Sequence, residues 1–211
     1  DVKFPEEYQN EQLKGKDAQF KLISEMMHNV YNQMAILTLL DEIGTDKAML
    51  EKIFSTIRLP DIRFNETQVG ELSLVMSMGK GQNSVSVSRN FDFVANEPED
   101  KTVILDMDDP FDRRKSVEYM GWIWDVEYEQ LCRDNIRQVP ITGPRCYDHK
   151  ARLLLAGFPE EKILCVMDEM EAMEHVLLEG VEKIYLIFDC TTLDLANRMK
   201  AKLLGIMEGK K

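Results

Sequence analysis

Five short apolar runs, at 71–77, 102–107, 136–142, 162–167 and 183–189, recur along the chain with stretches of helical spacing between them. This alternation constrains the fold more than any other feature. The runs at 103–107 and 184–188 are almost wholly apolar, as parallel strands covered on both faces must be. Helices are expected near 84–95, 126–134, 144–156, 168–178 and 192–207. Strands and helices alternating at this length specify an α/β fold with a Rossmann-like, doubly wound, mostly parallel sheet.

Upstream of Pro60 the texture differs. Phe20, Ile23, Met27, Val30, Met34, Leu37 and Leu40 follow helical spacing. Gly44 supplies a stop, and Thr45 is positioned to cap a second helix, Asp46 to Ile57. That helix ends before Leu59-Pro60, because a residue preceding proline avoids helical geometry. Two helices with no strands of their own read as the tail of something larger. At 211 residues the chain accommodates one full domain and such an appendage.

The formal net charge is −12, from 38 acidic and 26 basic residues. Such a surface repels phosphate backbones and anionic lipid heads, which argues against nucleic acid or a bare membrane as partner. Residues 26–40 carry no formal charge, but the run is too short for a transmembrane segment and includes His28, Asn29, Asn32 and Gln33. The four cysteines, at 132, 146, 165 and 190, form no C-x-x-C pair, so no zinc ribbon or redox motif can be drawn. Cys165 and Cys190 lie in apolar runs and read as small buried hydrophobes. A reducing, cytoplasmic setting and no signal peptide fit these features.

In doubly wound sheets function gathers at the carboxyl ends of the strands. That rule selects Asp106-Met107-Asp108-Asp109, Gly143-Pro144-Arg145 and Asp189, with Trp122-Ile123-Trp124-Asp125 as a short β-prone run ending in a carboxylate. No G-x-x-x-x-G-K-[ST] occurs, and no G-x-G-x-x-G opens a helix. Gly79-Lys80-Gly81-Gln82-Asn83 has glycines and a lysine, but in another order and without a Ser/Thr for Mg²⁺. The chain therefore has no self-sufficient site for ATP or dinucleotide phosphates, and no cofactor is expected on it alone. Asn29 and Asn32, three apart, either offer carboxamides to an adenine edge or form a solvated helix face. Asp106, Asp108, Asp109 and Asp112 suggest Mg²⁺, but Pro110 among them and the lack of a phosphate loop favour a solvated loop. No metal site is assigned.

The order H-N-x-x-N, helix, L-P-x-x-R, strand, K-G-x-N resembles the Mur ligase superfamily where its central ATPase domain meets its C-terminal domain. The likeness is closest to the MurT-type branch. It rests on Asn29-Val-Tyr-Asn32, on Lys80-Gly-Gln-Asn83 leading to Arg89-x-Phe91-Asp92-Phe93, on Trp122-Ile-Trp-Asp125-Val-Glu127, on Gly143-x-Arg145-x-x-Asp148 and on Arg152-Leu-Leu-Leu-Ala-Gly157. Three departures stand out: Ser84 follows K-G-x-N where the family usually has proline, Tyr119 and Gly121 replace an aspartate and a serine, and the Walker loop, Mg²⁺ carboxylates and zinc ribbon would all precede Asp1.

The resemblance implies that residues 1–59 end a central ATPase domain, 60–65 are a hinge and 66–211 are the C-terminal α/β domain. It implies an ATP- and Mg²⁺-dependent amide ligase of peptidoglycan synthesis, acting on D-glutamate of the lipid II stem peptide with ammonia from a glutaminase subunit. By the same likeness Asn32, and less closely Asn29, touch adenine; Arg63 reaches ATP phosphates; and Lys80 approaches the acyl phosphate or γ-phosphate. Asp125 is the candidate catalytic carboxylate, offered across the subunit interface to orient the glutaminase histidine. The plain alternatives are a surface arginine, a solvated turn lysine and a strand-end carboxylate capping the next helix. The rival for the whole chain is a non-catalytic α/β module that scaffolds a partner protein.

Overall fold

A computed structural model describes residues 20–23, 27–57, 64–107 and 121–209. The chain divides into two compact units, Asp1–Pro60 and Asp61–Lys211. In the first, α1 (Met27–Glu42) and α2 (Lys47–Thr56) are the only elements among the described residues. Helical spacing from Phe20 predicts an earlier start, but residues 20–23 are not helical. Gly44 does stop α1: at φ 80° it lets Thr45 N–H reach back to the Leu40 carbonyl at 2.9 Å. α2 starts at Lys47, one residue later than expected, so its cap is not Thr45 but Asp46, whose carboxylate accepts from Met49 N–H at 3.0 Å.

The second unit contains β1 (Phe64–Val69), β2 (Leu72–Gly79), α3 (Ser84–Asn96), β3 (Lys101–Asp106), α4 (Gly121–Trp124), β4 (Ile136–Thr142), α5 (Cys146–Ala156), β5 (Ile163–Val166), α6 (Glu169–Ala172), β6 (Lys183–Asp189) and α7 (Leu193–Met207). The strands form one six-stranded sheet in the order β1-β2-β6-β3-β4-β5. Only β1, paired with β2, is antiparallel. The fold is thus the mostly parallel α/β sheet that the apolar runs require. Phe64 and Asn65, the end of the expected hinge, already belong to β1; residues 60–63 lie outside the described residues.

Alternate side chains of the central strands feed two cores. Val75, Val103, Leu105, Tyr185 and Ile187 pack with Val87, Phe91 and Val94 of α3 and with Leu153 of α5. Leu74, Met76, Ile104, Leu186 and Phe188 pack with Leu195, Ala196, Met199 and Leu203 of α7 on the opposite face. Burial on both faces explains why β3 and β6 show no polar alternation.

Two expected elements differ. Trp122–Trp124 is not β-structure but the single helical turn α4, with Trp122 buried and Trp124 56% exposed. A strand would place both indoles on one face. The expected helix 126–134 is one 3₁₀ turn, Tyr128–Leu131. It cannot extend backward as an α-helix, because the Val126 carbonyl is taken by Tyr128 N–H and by Arg152, each at 3.0 Å. The expected helix 168–178 is likewise cut to α6 and a 3₁₀ turn, Met173–His175.

Candidate functional site

Neighbouring strands β2 and β6 send their helices to opposite faces of the sheet, α3 to one and α7 to the other. This is a topological switch, and the crevice it opens at the carboxyl ends of the strands is where doubly wound sheets bind ligands. The residues there are Gly79-Lys80-Gly81 at the end of β2, Asp189 at the end of β6 and Asp106 at the end of β3.

The K-G-x-N segment folds as a hydrogen-bonded turn. Asn83 N–H donates to the Lys80 carbonyl at 3.1 Å, Gln82 takes φ 60°, and the Asn83 side chain caps α3 by accepting from Ser86 N–H at 3.0 Å. Gly81 N–H donates to the Asp189 carboxylate, which also accepts from Thr191 N–H at 2.8 Å and Thr191 Oγ at 2.6 Å. A Cβ on Gly81 would collide with Asp189 Oδ2 and come within 3.1 Å of Asp189 Cγ, so any larger residue requires the loop or the carboxylate to shift. Lys80 is exposed, and among the described residues its ammonium has no hydrogen bond or ion pair. A buried carboxylate thus holds the backbone of a loop whose lysine is free to meet an anion.

Beside it, Asp106 is buried and accepts from Thr142 Oγ, at the end of β4, at 3.0 Å. Asp108, Asp109 and Asp112 lie outside the described residues. Among the described residues no group of three His, Cys, Asp or Glu side chains could hold a metal ion. Gly143, at φ 84°, makes the turn into α5, and Arg145 meets Asp148 at 3.8 Å.

Asp125 sits elsewhere on this unit, after α4. Its backbone N–H closes the turn onto the Trp122 carbonyl at 3.2 Å, while its side chain is exposed, with no hydrogen bond or ion pair among the described residues. It therefore ends no strand and caps no helix. Behind it lies a buried cluster that sequence reasoning left without a role. His149 of α5 bonds through Nδ1 to the Tyr128 hydroxyl and packs edge-on to Trp122, with ring centroids 5.9 Å apart. Arg152, one turn on, binds both oxygens of Glu129 at 2.8 Å and lies over the Tyr128 ring at 5.3 Å. The i, i+3 spacing of His149 and Arg152 was the available signal.

Burial pushes the His149 imidazole from 6.5 to about 4, so it stays neutral near pH 7. Between those values the unfolded chain takes up a proton that the folded one refuses. Stability is fully present above pH 6.5 and falls as the pH drops toward 4, by about 3 kcal/mol in all. Urea unfolding of His149→Gln at pH 7 and pH 4 is expected to show a smaller acid loss than the parent chain; an equal loss would rule out a buried neutral imidazole.

Of the other sequence-selected residues, Asn29 is buried and Asn32 exposed, although both lie on α1. They do not present two carboxamides together to solvent, so only Asn32 offers its amide edge outward. The His28 side chain and Arg63 lie outside the described residues. The cysteine expectation also needs correction: Cys165 is half-buried and Cys190 exposed. The thiols of Cys132 and Cys190 are pushed up chiefly by partial burial, then by Glu129 and Asp189 respectively, which keeps both protonated. No helix among the described residues is long and apolar enough to cross a membrane.

Residues 81–193 match the family described as MurT ligase C-terminal. The chain is 22% identical over 171 residues to the lipid II isoglutaminyl synthase (glutamine-hydrolyzing) subunit MurT of Streptococcus pneumoniae, covering 79% of this chain and 36% of that protein. It is 28% identical over 132 residues to the Staphylococcus aureus subunit of the same name, covering 61% of this chain and 28% of that protein. It thus spans about a third of the length of these curated relatives. Among solved structures, UDP-N-acetylmuramate-alanine ligase MurC from Thermotoga maritima superposes with a TM-score of 0.65 at 14% identity, over 94% of this chain and 42% of that one. MurF from Acinetobacter baumannii gives 0.56 at 17% identity, over 84% and 38%. At these identities the structural likeness establishes the fold.

Proposed function

The chain belongs to the MurT ligase C-terminal family, and from that premise we propose that it works as the C-terminal part of an ATP-dependent amide ligase of peptidoglycan synthesis. The substrate is the α-carboxyl of D-glutamate in the lipid II stem peptide, and the nitrogen is ammonia released from glutamine by a partner glutaminase. Family membership favours this over a non-catalytic scaffold. The observation that carries the proposal is the Lys80 ammonium, unpaired among the described residues, on a loop fixed by Asp189 at the switch crevice.

ATP, when bound to the complete enzyme, supplies the phosphoryl group that turns the carboxylate into a species ammonia can attack. Lys80 is suited to meet the phosphate charge as a point cation, because no carboxylate among the described residues pairs with it. Asn32 has its amide edge outward, as contact with an adenine requires, and Arg63 is the proposed second phosphate contact. Asp189 and Gly81 do not touch substrate; they position Lys80. Among the described residues no ligand set is assigned to Mg²⁺.

The proposal is tested with the full-length polypeptide that carries this region, mixed with its glutaminase. Sustained ADP release, beyond a single turnover, is expected only when lipid II, ATP and a nitrogen donor are all present. ADP release that ignores lipid II would contradict the assignment.

A further inference from the structure

We propose that Arg152 is the positioning residue for Asp125, setting where that carboxylate stands when a partner meets it; this rests on the reading of Asp125 given above. The Asp125 side chain is exposed and bonds to no described residue, so among the described residues it is held through its backbone. That backbone is gripped mainly from α5, with one further bond from α3. On the N-terminal side, Trp122 is buried against the His149 ring. On the C-terminal side, Tyr128 bonds to the same histidine, and Glu127 N–H donates to Ser88 Oγ at 3.0 Å. Arg152 takes the residue next to Asp125 directly, donating from Nη2 to the Val126 carbonyl at 3.0 Å.

The guanidinium is itself held in place. It is nearly buried, its Nη2 meets both Glu129 oxygens at 2.8 Å, and it stacks over Tyr128. The three oxygens all meet one nitrogen, Nη2, while the planar face of the guanidinium covers the Tyr128 ring; a lysine, with a compact ammonium on a shorter stem, does not reach these oxygens and cover the ring at once. Arg152 thereby converts the rigidity of α5 into the position of Asp125.

The test uses the full-length enzyme with its glutaminase, assayed with glutamine and then with an ammonium salt. Arg152→Lys keeps the charge and is expected to lower glutamine-driven amidation by about 10²-fold, the cost of a displacement near 1 Å. Ammonia-driven amidation and formation of the two-subunit complex should stay unchanged. Adding Asp125→Asn to Arg152→Lys should cost far less than the sum of the two single losses, because both act through one carboxylate. Equal losses with both donors, or additive losses in the double variant, would overturn the proposal by making Arg152 merely structural. Full glutamine use in Arg152→Lys, with the Asp125→Asn loss intact, would overturn it while leaving the Asp125 reading standing. An Asp125→Asn enzyme that uses glutamine normally would overturn both. Should Arg152→Lys fail to fold, Glu129→Gln, which weakens the two-oxygen grip at an exposed carboxylate, carries the same expectations in milder form.

Discussion

Asp125→Asn is expected to lower glutamine-driven amidation by about 10²–10⁴-fold, the range in which a positioned acid–base group contributes, and to affect ammonia-driven amidation far less. The substitution keeps the shape of the side chain and removes the charge that would stabilise a partner histidine in its protonated form. The structure makes this variant clean. Asp125 is exposed and has no side-chain hydrogen bond or ion pair among the described residues, so folding should lose no more than about 0.5 kcal/mol. Thermal unfolding of the chain checks that point, and the two-donor assay checks the rest. Equal losses with both donors would move Asp125 to the ligase centre.

Gly81→Ala is expected to do the opposite, lowering amidation with glutamine and with ammonia alike by about 10²-fold. The added methyl would collide with Asp189 Oδ2 and lie 3.1 Å from Asp189 Cγ. Asp189 cannot step aside, because it is buried and pinned twice by Thr191 at 2.8 and 2.6 Å. The loop must move instead, carrying Lys80 with it and losing about 1–3 kcal/mol of stability to overpacking. Steady-state rates with both donors measure the first effect and denaturant unfolding the second. An unaffected ligation rate would show that the Lys80 loop stands outside the reaction.

The two variants separate the two halves of the account, and the sequence revealed those halves unequally. The central strands were legible because burial on both faces leaves an unbroken apolar run, as in Val103–Leu105 and Ile184–Phe188. β1 was not legible. It reads Phe-Asn-Glu-Thr-Gln-Val, an edge strand whose polar side chains give no apolar alternation, and its place comes from pairing with β2. Trp122–Trp124 misled for a related reason. Aromatic residues favour strands in general, but one indole here fills a pocket beside His149 while the other faces solvent. Tertiary packing overrode the propensity.

The site residues divide in the same way. Lys80, Asp125 and Asp189 could be picked out by motif or by position at strand ends. The reason for Gly81 could not, because its partner Asp189 lies 108 residues away in sequence. Asn29 and Asn32 show the limit of spacing alone: three residues apart on one helix, they still differ in burial. Nor could sequence reveal that His149 and Arg152 hold the two flanks of Asp125, since that contact needs α5 folded over the 3₁₀ turn.

The most direct test of the central claim follows the nitrogen. Lipid II bearing D-glutamate is incubated with ATP, the full-length polypeptide that carries this region, its glutaminase, and glutamine isotopically labelled at the side-chain amide. Fragmentation mass spectrometry then locates the label. The account predicts labelled nitrogen as a new amide on the α-carboxyl of D-glutamate, dependent on ATP and lost when the polypeptide is left out. Label that stays in free ammonia, with every D-glutamate carboxyl unchanged in the complete mixture, would contradict it.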